Sequence, residues 1–188
     1  RTIKALLRQA GFQVGRYKIR SVMRKLGLVC QQRQTFKVTT KHNEKHQVQP
    51  NLLNQNFQPL FANEVWAGDI TYIKTNQGWR YLAVVMDLFS RRIVGWNMAE
   101  RMKADLVIQA LQQAHVLRQP QYGCVFHSDR GSQYTSRAFA KKARQLKMRL
   151  SMSDIGCCYD NAVVERFFGS LKHEGLGHTA TMNENAVK

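Results

Sequence analysis

The stretch VWAGDITYIKTNQGWRYLAVVMD, residues 65–87, decides the fold of this chain. Two runs rich in β-branched and aromatic residues, 65–73 and 79–87, flank the tripeptide Asn76-Gln77-Gly78. Such runs are typical of strands, and a short turn that ends in glycine is typical of a hairpin. The sequence therefore predicts two strands that pair in antiparallel fashion.

The elements downstream of this hairpin alternate between strands and helices. A third β-rich run lies at 92–98, and two short ones lie at 124–128 and 149–152. Three successive antiparallel strands followed by alternating helices and strands predict an α/β domain with a mixed five-stranded sheet flanked by helices. The predicted helices include residues 107–114, 136–146 and 164–171, where apolar residues recur at helical spacing.

The start of the chain is predicted to be a separate basic module at residues 1–30. Two apolar stripes at helical spacing flank a glycine-containing segment, which predicts a small helix-turn-helix-like pair. An ordinary helical hairpin with solvated charges is the alternative. Residues 31–63 are rich in Gln, Asn, Thr and Lys and are predicted to be a polar linker to a core domain at 64–188. The candidate DNA contacts are the basic residues of the second helix, Lys18, Arg20, Arg24 and Lys25.

The charge of the chain indicates a polyanionic partner. Lys and Arg number 29 against 12 Asp and Glu, a formal net charge of +17. Residues 1–50 hold twelve of these basic residues and a single acid, Glu44, so the excess is concentrated near the start. We therefore expect double-stranded DNA as a partner. No membrane partner is expected, because the longest apolar run, residues 81–86, is far below the roughly 20 residues of a membrane-spanning helix.

Two features bear on the location of the protein. The start of the chain lacks the layout of a signal peptide, and its four cysteines, none in a C-x-x-C pair, are typical of reduced thiols. We therefore expect a cytoplasmic protein. The first residue is Arg rather than Met, which suggests a chain cut from a longer reading frame.

Three acidic residues stand out in this basic chain. Asp69 interrupts an apolar strand, Asp129 directly follows the strand at 124–128, and Glu165 borders the apolar stripe of the last helix. A buried carboxylate is costly unless a cation offsets its charge. Carboxylates that converge from two strands and a helix would bind Mg²⁺ or Mn²⁺. Two such ions can activate the attacking oxygen and stabilise the leaving oxygen of a phosphodiester.

Asp87 is the rival to this acidic set. It lies at the end of the second strand of the hairpin, where it could share a face with Asp69. It could equally form an ion pair with Arg91 or Arg92. An ion pair at an exposed strand end contributes little to stability, so the sequence predicts that Asp87→Asn is nearly neutral.

Four long motifs and the basic helical pair at the start carry a family resemblance. The motifs are WAGDITYI (66–73), GWRYLAVVMDLFSRRIVGW (78–96), HSDRGSQY (127–134) and SMSDIGCCYDNAVVERFFGSLK (151–172). In this order they resemble bacterial insertion-sequence transposases of the integrase-core type, the second-reading-frame products of elements with two overlapping frames. A further point of similarity is that 35 residues separate Asp129 and Glu165, the spacing characteristic of this family and of retroviral integrases.

The resemblance implies a ribonuclease-H-like fold and a DDE polynucleotidyl transferase. Asp69, Asp129 and Glu165 would be both the catalytic residues and the ligands of two Mg²⁺ or Mn²⁺ ions. A lysine seven residues after the glutamate is also implied to contact DNA on the catalytic face, and Lys172 matches it; a plain solvated lysine is the alternative. The chain would cleave and join transposon-end and target DNA as a homo-oligomer at the bacterial nucleoid.

Departures from the family pattern leave two further functions open. Asp154 and Cys157 stand where members often have a basic residue and an asparagine. Relatives usually continue past the catalytic helix, so we expect the core to be truncated at its C-terminus. A non-catalytic DNA-binding relic or regulator is one alternative, and a simple nuclease of the same fold is the other.

Overall fold

Two units make up the chain, which we describe from a computed structural model. Contacts divide it into Arg1–Thr39 and Thr40–Lys188. The first unit contains helix α1 (Thr2–Gln9) and helix α2 (Arg16–Lys25), as the two apolar stripes predicted. Gly11 lies just after α1 with φ of 85°, a conformation that favours glycine, and the chain turns there toward α2. The described residues are 2–28, 48–54, 56–154 and 161–175.

A mixed five-stranded sheet forms the second unit, which confirms the predicted fold class. The strand order is β3-β2-β1-β4-β5. The β1–β2 and β2–β3 pairs are antiparallel, whereas β1–β4 and β4–β5 are parallel. The strands are β1 (Val65–Thr75), β2 (Gly78–Asp87), β3 (Ile93–Ala99), β4 (Val125–Ser128) and β5 (Arg149–Met152).

Helices cover the sheet because its side chains alternate between two apolar faces. One face packs Trp66, Val85 and Phe126 into a cluster with the apolar residues of two helices, α3 (Ala104–Arg118) and α4 (Arg137–Gln145). The other face belongs to a second cluster, which contains residues of β1, β2 and the last helix, α5 (Ala162–Ser170). A π-helical turn, Leu171–Gly175, continues α5.

Helix α3 lies close against the sheet at Gly95 of β3. A Cβ atom at this position would lie 2.3 Å from the carbonyl oxygen of Ala110 and 2.7 Å from the Cβ of Ala114. Glycine on the strand and alanines on the helix therefore permit the close approach. Helix α5 packs on the opposite face of the sheet.

The described part of the predicted linker belongs to the second unit. Leu53 is buried in the same cluster as α5, and Phe57 packs against it. The backbone nitrogen of Leu52 also donates to Ser151 Oγ at 2.9 Å. Within the predicted polar linker, this stretch therefore has apolar residues that fix it to the sheet. Residues 29–47, the rest of that prediction, lie outside the described residues.

Among the described residues, no helix combines the length and apolar character needed to cross a bilayer.

Candidate active site

Asp69 lies in the middle of β1, the central strand of the sheet. Val65 and Ala67 of the same strand pack in the cluster that contains Val164 and Phe168 of α5. Because strand side chains alternate, Asp69 lies on this α5 face. Its side chain is half-buried, and Oδ1 accepts a hydrogen bond of 2.7 Å from the backbone nitrogen of Ile70.

Asp129 comes to the same place from β4. The parallel register pairs Ala67 with His127, so Asp129, two residues further on, follows the strand that adjoins Asp69. Its Oδ1 accepts a hydrogen bond of 2.9 Å from the backbone nitrogen of Gly131. A Cβ atom at position 131 would lie 2.9 Å from that carboxylate oxygen, so glycine lets the loop fold back onto the acid.

The electrostatics of Asp69 link these acids into one site. The pKa of Asp69 is raised to about 8, chiefly by burial, then by the Asp129 carboxylate and, to a smaller extent, by Glu165. The hydrogen bond from Ile70 and the ammonium group of Lys172 act in the opposite direction. Burial also raises the pKa of Asp129, against the hydrogen bond from Gly131. The fold therefore places two acids where ionisation is costly without a cation.

Glu165 reaches the site from the first turn of α5. Val164 and Phe168 of this helix are buried against the sheet, which leaves the half-buried Glu165 at the border of the packed face. Asn161, directly before α5, is buried and donates from Nδ2 to the carbonyl oxygen of Gly68 at 3.3 Å. The start of α5 is thus tied to the residue before Asp69, a contact that the sequence did not indicate.

Three carboxylates form a hard oxygen donor set that fits Mg²⁺ or Mn²⁺. In the described part of the chain, however, no three acidic, histidine or cysteine side chains are close enough to enclose one ion. Glu165 has a weaker influence on the pKa of Asp69 than Asp129 has, which is consistent with a more distant carboxylate. The structure brings the predicted acids to one region of the sheet, around the middle of β1, without closing them around one point.

Lys172 lies at the same site, within the π-helical turn that follows α5. It is half-buried, and burial lowers its pKa, against the opposing effect of the Asp69 carboxylate. Its Nζ lies 4.3 Å from the centre of the Tyr72 ring. Lys172 is therefore not a plain solvated lysine. Lys172 follows Glu165 by seven residues, but this spacing on a regular α-helix does not by itself set its position, because the helix becomes π-helical at Leu171.

Asp87 does not belong to this site, and both sequence interpretations of it are wrong. The register pairs Asp69 with Val84, so the side chain of Asp87 points to the opposite face. It is fully buried, and its cationic neighbour is Arg118, with 4.0 Å between Nη2 and Oδ2. It accepts hydrogen bonds from the backbone nitrogen of Asn63 and from the nitrogen and hydroxyl of Ser90. Asp87 therefore organises the loops at the end of the sheet where β1 begins and β2 ends.

Two further polar residues near the site were missed by sequence reasoning. The hydroxyl of Tyr134 is fully buried, has no hydrogen-bond partner among the described residues, and lies in the electrostatic field of Asp69 and Asp129, which with burial raises its pKa. Arg130, next to Asp129, forms an ion pair of 3.2 Å with Asp154. The HSDRGSQY motif contains both Arg130 and Tyr134, but periodicity did not distinguish them from residues that only pack.

The predicted DNA contacts lie in the first unit, on α2. All four side chains are exposed, whereas Ile19 and Met23 of the same helix are half-buried. The basic residues are therefore available to a partner. They are Lys18, Arg20, Arg24 and Lys25.

Comparison with known families gives two matches along the chain. The family model described as "Integrase core domain" matches residues 61–158, and the one described as "HTH-like domain" matches residues 1–36. The insertion element IS600 uncharacterized 31 kDa protein of Shigella sonnei is 42% identical over 178 residues, 95% of this chain and 65% of that protein. Transposase InsF for insertion sequence IS3A of Escherichia coli (strain K12) is 42% identical over 168 residues, 89% of this chain and 58% of that protein. This chain thus spans less than two thirds of these relatives.

Solved structures share the fold. A chain of the simian T-cell lymphotropic virus intasome, in complex with PP2A regulatory subunit B56 gamma, has a TM-score of 0.61 at 21% identity, over 98% of this chain and 61% of that chain. The HTLV-2 integrase catalytic core domain in complex with magnesium (trimeric form) has a TM-score of 0.55 at 22% identity, over 69% of this chain and 83% of that chain. The sheet, the position of its acids and a family model that covers more than half of the residues agree, and this protein belongs to the integrase core domain family.

Proposed function

We propose that this protein is a transposase, a DDE polynucleotidyl transferase that cleaves DNA at transposon ends and joins it to target DNA. The observation that carries the proposal is the placement of Asp69 on β1 and of Asp129 directly after the adjacent parallel strand β4, where burial and the Asp129 carboxylate raise the pKa of Asp69 to about 8. Both acids are costly to ionise where they are buried, and a bound cation would offset that cost. In a chain of net charge +17, two such acids support a cation site. The transposase relative from Escherichia coli supports the same activity.

Asp69, Asp129 and Glu165 would hold two Mg²⁺ or Mn²⁺ ions. When bound, such ions supply Lewis-acid activation of the attacking oxygen and charge stabilisation of the leaving oxygen of a phosphodiester. Asp69 and Asp129 are held by backbone hydrogen bonds and provide the fixed part of the donor set. Glu165 completes it by moving its side chain toward them. The HTLV-2 integrase core, which was solved with magnesium, supports this choice of ion.

The reaction has two chemically similar steps. Water attacks a phosphodiester and releases a 3′-hydroxyl, and this hydroxyl then attacks a second phosphodiester and releases its 3′-oxygen. One site serves both steps, because each is an in-line displacement at phosphorus. No covalent bond between protein and DNA is required. Lys172, next to Asp69, would neutralise a phosphate near the reacting bond.

DNA would be bound by both units. The four exposed basic residues of α2 contact duplex phosphates or base edges, and the HTH-like match over residues 1–36 supports this role. We propose that the protein acts as a homo-oligomer on DNA at the nucleoid, since two transposon ends must meet for joining. The division into a module at 1–30 and a core from residue 64 is part of this proposal, with residues 49–57 attached to the core.

The experiment that tests this function measures cleavage, joining and binding side by side in Mg²⁺. The substrates are duplexes from the DNA that flanks the gene, with a supercoiled plasmid as target. Cleavage followed by joining is the expected result. Binding without either reaction would overturn the proposal in favour of a DNA-binding relic or regulator, and cleavage without joining would overturn it in favour of a nuclease.

A further inference from the structure

Two aromatic rings are exposed on the part of the β1–β2 hairpin nearest its turn. Tyr72 is 49% exposed and Trp79 is 52% exposed. Their ring centres are 5.4 Å apart with an interplanar angle of 76°, so the rings meet at a steep angle. Because Trp79 pairs in the sheet with Lys74, two residues beyond Tyr72, the rings are diagonal neighbours on one face of the sheet.

The pair is connected to the acidic site through Lys172. The ammonium group of this lysine lies 4.3 Å from the centre of the Tyr72 ring, and it also acts electrostatically on Asp69. Tyr72 follows Asp69 by three residues, or about 10 Å along an extended strand, so the two side chains leave β1 on opposite faces, and Lys172 is the group that contacts the one and acts on the other. This distance is on the scale of one to two nucleotides of a DNA strand.

A cross-strand aromatic pair stabilises a hairpin, and that explains why the two rings touch. It does not explain why about half of each ring stays exposed, or why the ammonium group of Lys172 lies against the Tyr72 ring. Aromatic surfaces with neighbouring cations are the common means of holding unpaired bases, since every base has a face that can stack and a phosphate that needs a counter-charge.

We propose that Trp79 stacks on an unpaired base of the DNA strand that carries the reacting phosphate. Tyr72 holds the indole in place, and Lys172 contacts the phosphate that joins this base to the reacting position. The inference rests on the proposed function, because it assumes a DNA strand at the acidic site, and it adds a preference for a strand that is unpaired there. The basic residues of α2 do not supply this preference, because contacts with phosphates do not distinguish paired from unpaired bases.

The test measures binding in EDTA, where no cleavage occurs, so the result does not depend on whether the chain is catalytically active. The probes are a single-stranded oligothymidylate and a fully paired duplex of the same length. We expect Trp79→Ala to weaken binding of the single strand by about 5- to 100-fold, as for the loss of one base–aromatic stack, and to leave duplex binding within about threefold. Trp96→Ala is the matched control, because Trp96 is 38% exposed on β3 and pairs with Val84, five residues along β2 from Trp79.

Tryptophan fluorescence gives a second, independent measurement. Trp66 is fully buried, so Trp79 and Trp96 are the tryptophans that solvent and DNA can reach. We expect oligothymidylate to quench the tryptophan emission of the wild type and of Trp96→Phe. This quenching should be lost in Trp79→Phe, a variant that keeps an aromatic ring at position 79 and hence most of the affinity for the single strand. Equal losses for single strand and duplex in Trp79→Ala, or unchanged quenching in Trp79→Phe, would overturn the proposal. Failure of the cleavage assay would instead count against the proposed function alone.

Discussion

The side-chain nitrogen of Asn161 donates a hydrogen bond of 3.3 Å to the carbonyl oxygen of Gly68, the residue before Asp69. Asn161 directly precedes α5, and Glu165 lies in the first turn of that helix. Within the described residues this side chain does not cap its own helix but reaches across to β1. The bond therefore fixes the distance between the helix that carries Glu165 and the strand that carries Asp69.

Asn161→Ala should loosen this connection and weaken metal binding. We expect the Mn²⁺ affinity to fall about 10- to 100-fold, the usual effect of removing a group that orients a metal ligand. The free energy of unfolding should fall by about 1 kcal/mol for the lost hydrogen bond. Titration calorimetry and urea denaturation measure the two effects. Asn97→Ala, at a half-buried position on β3, is the control; an equal loss of Mn²⁺ affinity in that variant would contradict the positioning role.

Asp129→Asn should abolish both reaction steps together while DNA binding persists. The substitution keeps the shape of the side chain and removes a charged ligand, so we expect cleavage and joining to fall at least about 100-fold, or about 3 kcal/mol of transition-state stabilisation. Affinity for duplex DNA should remain within about threefold, because it arises mainly from basic side chains. Asp105→Asn is the matched control, since Asp105 is exposed on α3. Cleavage near the wild-type rate in Asp129→Asn would rule out the proposed roles of the acids.

Asp87→Asn should destabilise the fold, contrary to the sequence-based expectation. Asp87 is fully buried and accepts three hydrogen bonds, and the amide group would place N–H donors against other donors beside Arg118. We expect the free energy of unfolding to fall by about 2–4 kcal/mol. Urea denaturation measures this, and Asp105→Asn should change it by less than about 1 kcal/mol. A loss below 1 kcal/mol in Asp87→Asn would show that the surrounding loops relax around the amide.

The raised pKa of Asp69 predicts how stability and metal binding depend on pH. Between the ordinary value of 3.8 and about 8, the folded state keeps a proton that the unfolded state has lost. The free energy of unfolding of the metal-free protein should therefore decrease as pH rises through this window, and Asp69→Asn should remove that decrease.

Metal binding should compete with protonation of the Asp69 carboxylate. Since a ligand carboxylate must be ionised, Mn²⁺ affinity should rise from pH 6 to 8, with about one proton released per protein at pH 6.5 and almost none at pH 9. Calorimetry in buffers of different ionisation enthalpy counts these protons. A constant affinity across this range would contradict the assignment of Asp69 as a ligand.

The basic residues of α2 should determine much of the salt dependence of duplex binding. Replacing Lys18, Arg20, Arg24 and Lys25 with Ala removes four exposed charges, and we expect the slope of log affinity against log salt to flatten by about 3 to 4. Fluorescence anisotropy at several salt concentrations measures the slope. Replacing the exposed basic residues of α4 is the control, and an equal flattening there would indicate diffuse attraction rather than a DNA-binding module. These residues are Arg137, Lys141 and Arg144.

The sequence by itself determined the elements of the fold and the candidates for the acidic set. Alternation and helical spacing are local patterns, so the five strands and the helices could be predicted to within a few residues. Asp69 could be named because it interrupts an apolar strand, Asp129 because it follows a strand, and Glu165 because it borders the apolar stripe of a helix. The resemblance added Lys172. None of these inferences required knowledge of which strands pair or how they are aligned.

The tertiary structure decided which side chains share a face and what they contact. The register between β1 and β2 turned Asp87 away from Asp69, because a strand reverses the direction of its side chains at every residue. The docking of α5 brought Asn161 to Gly68, and the π-helical turn after it brought Lys172 over Tyr72. These contacts join residues that are 93 to 100 positions apart or depend on the alignment of two strands. Sequence periodicity, which spans a few turns or a few residues, carries no information about them.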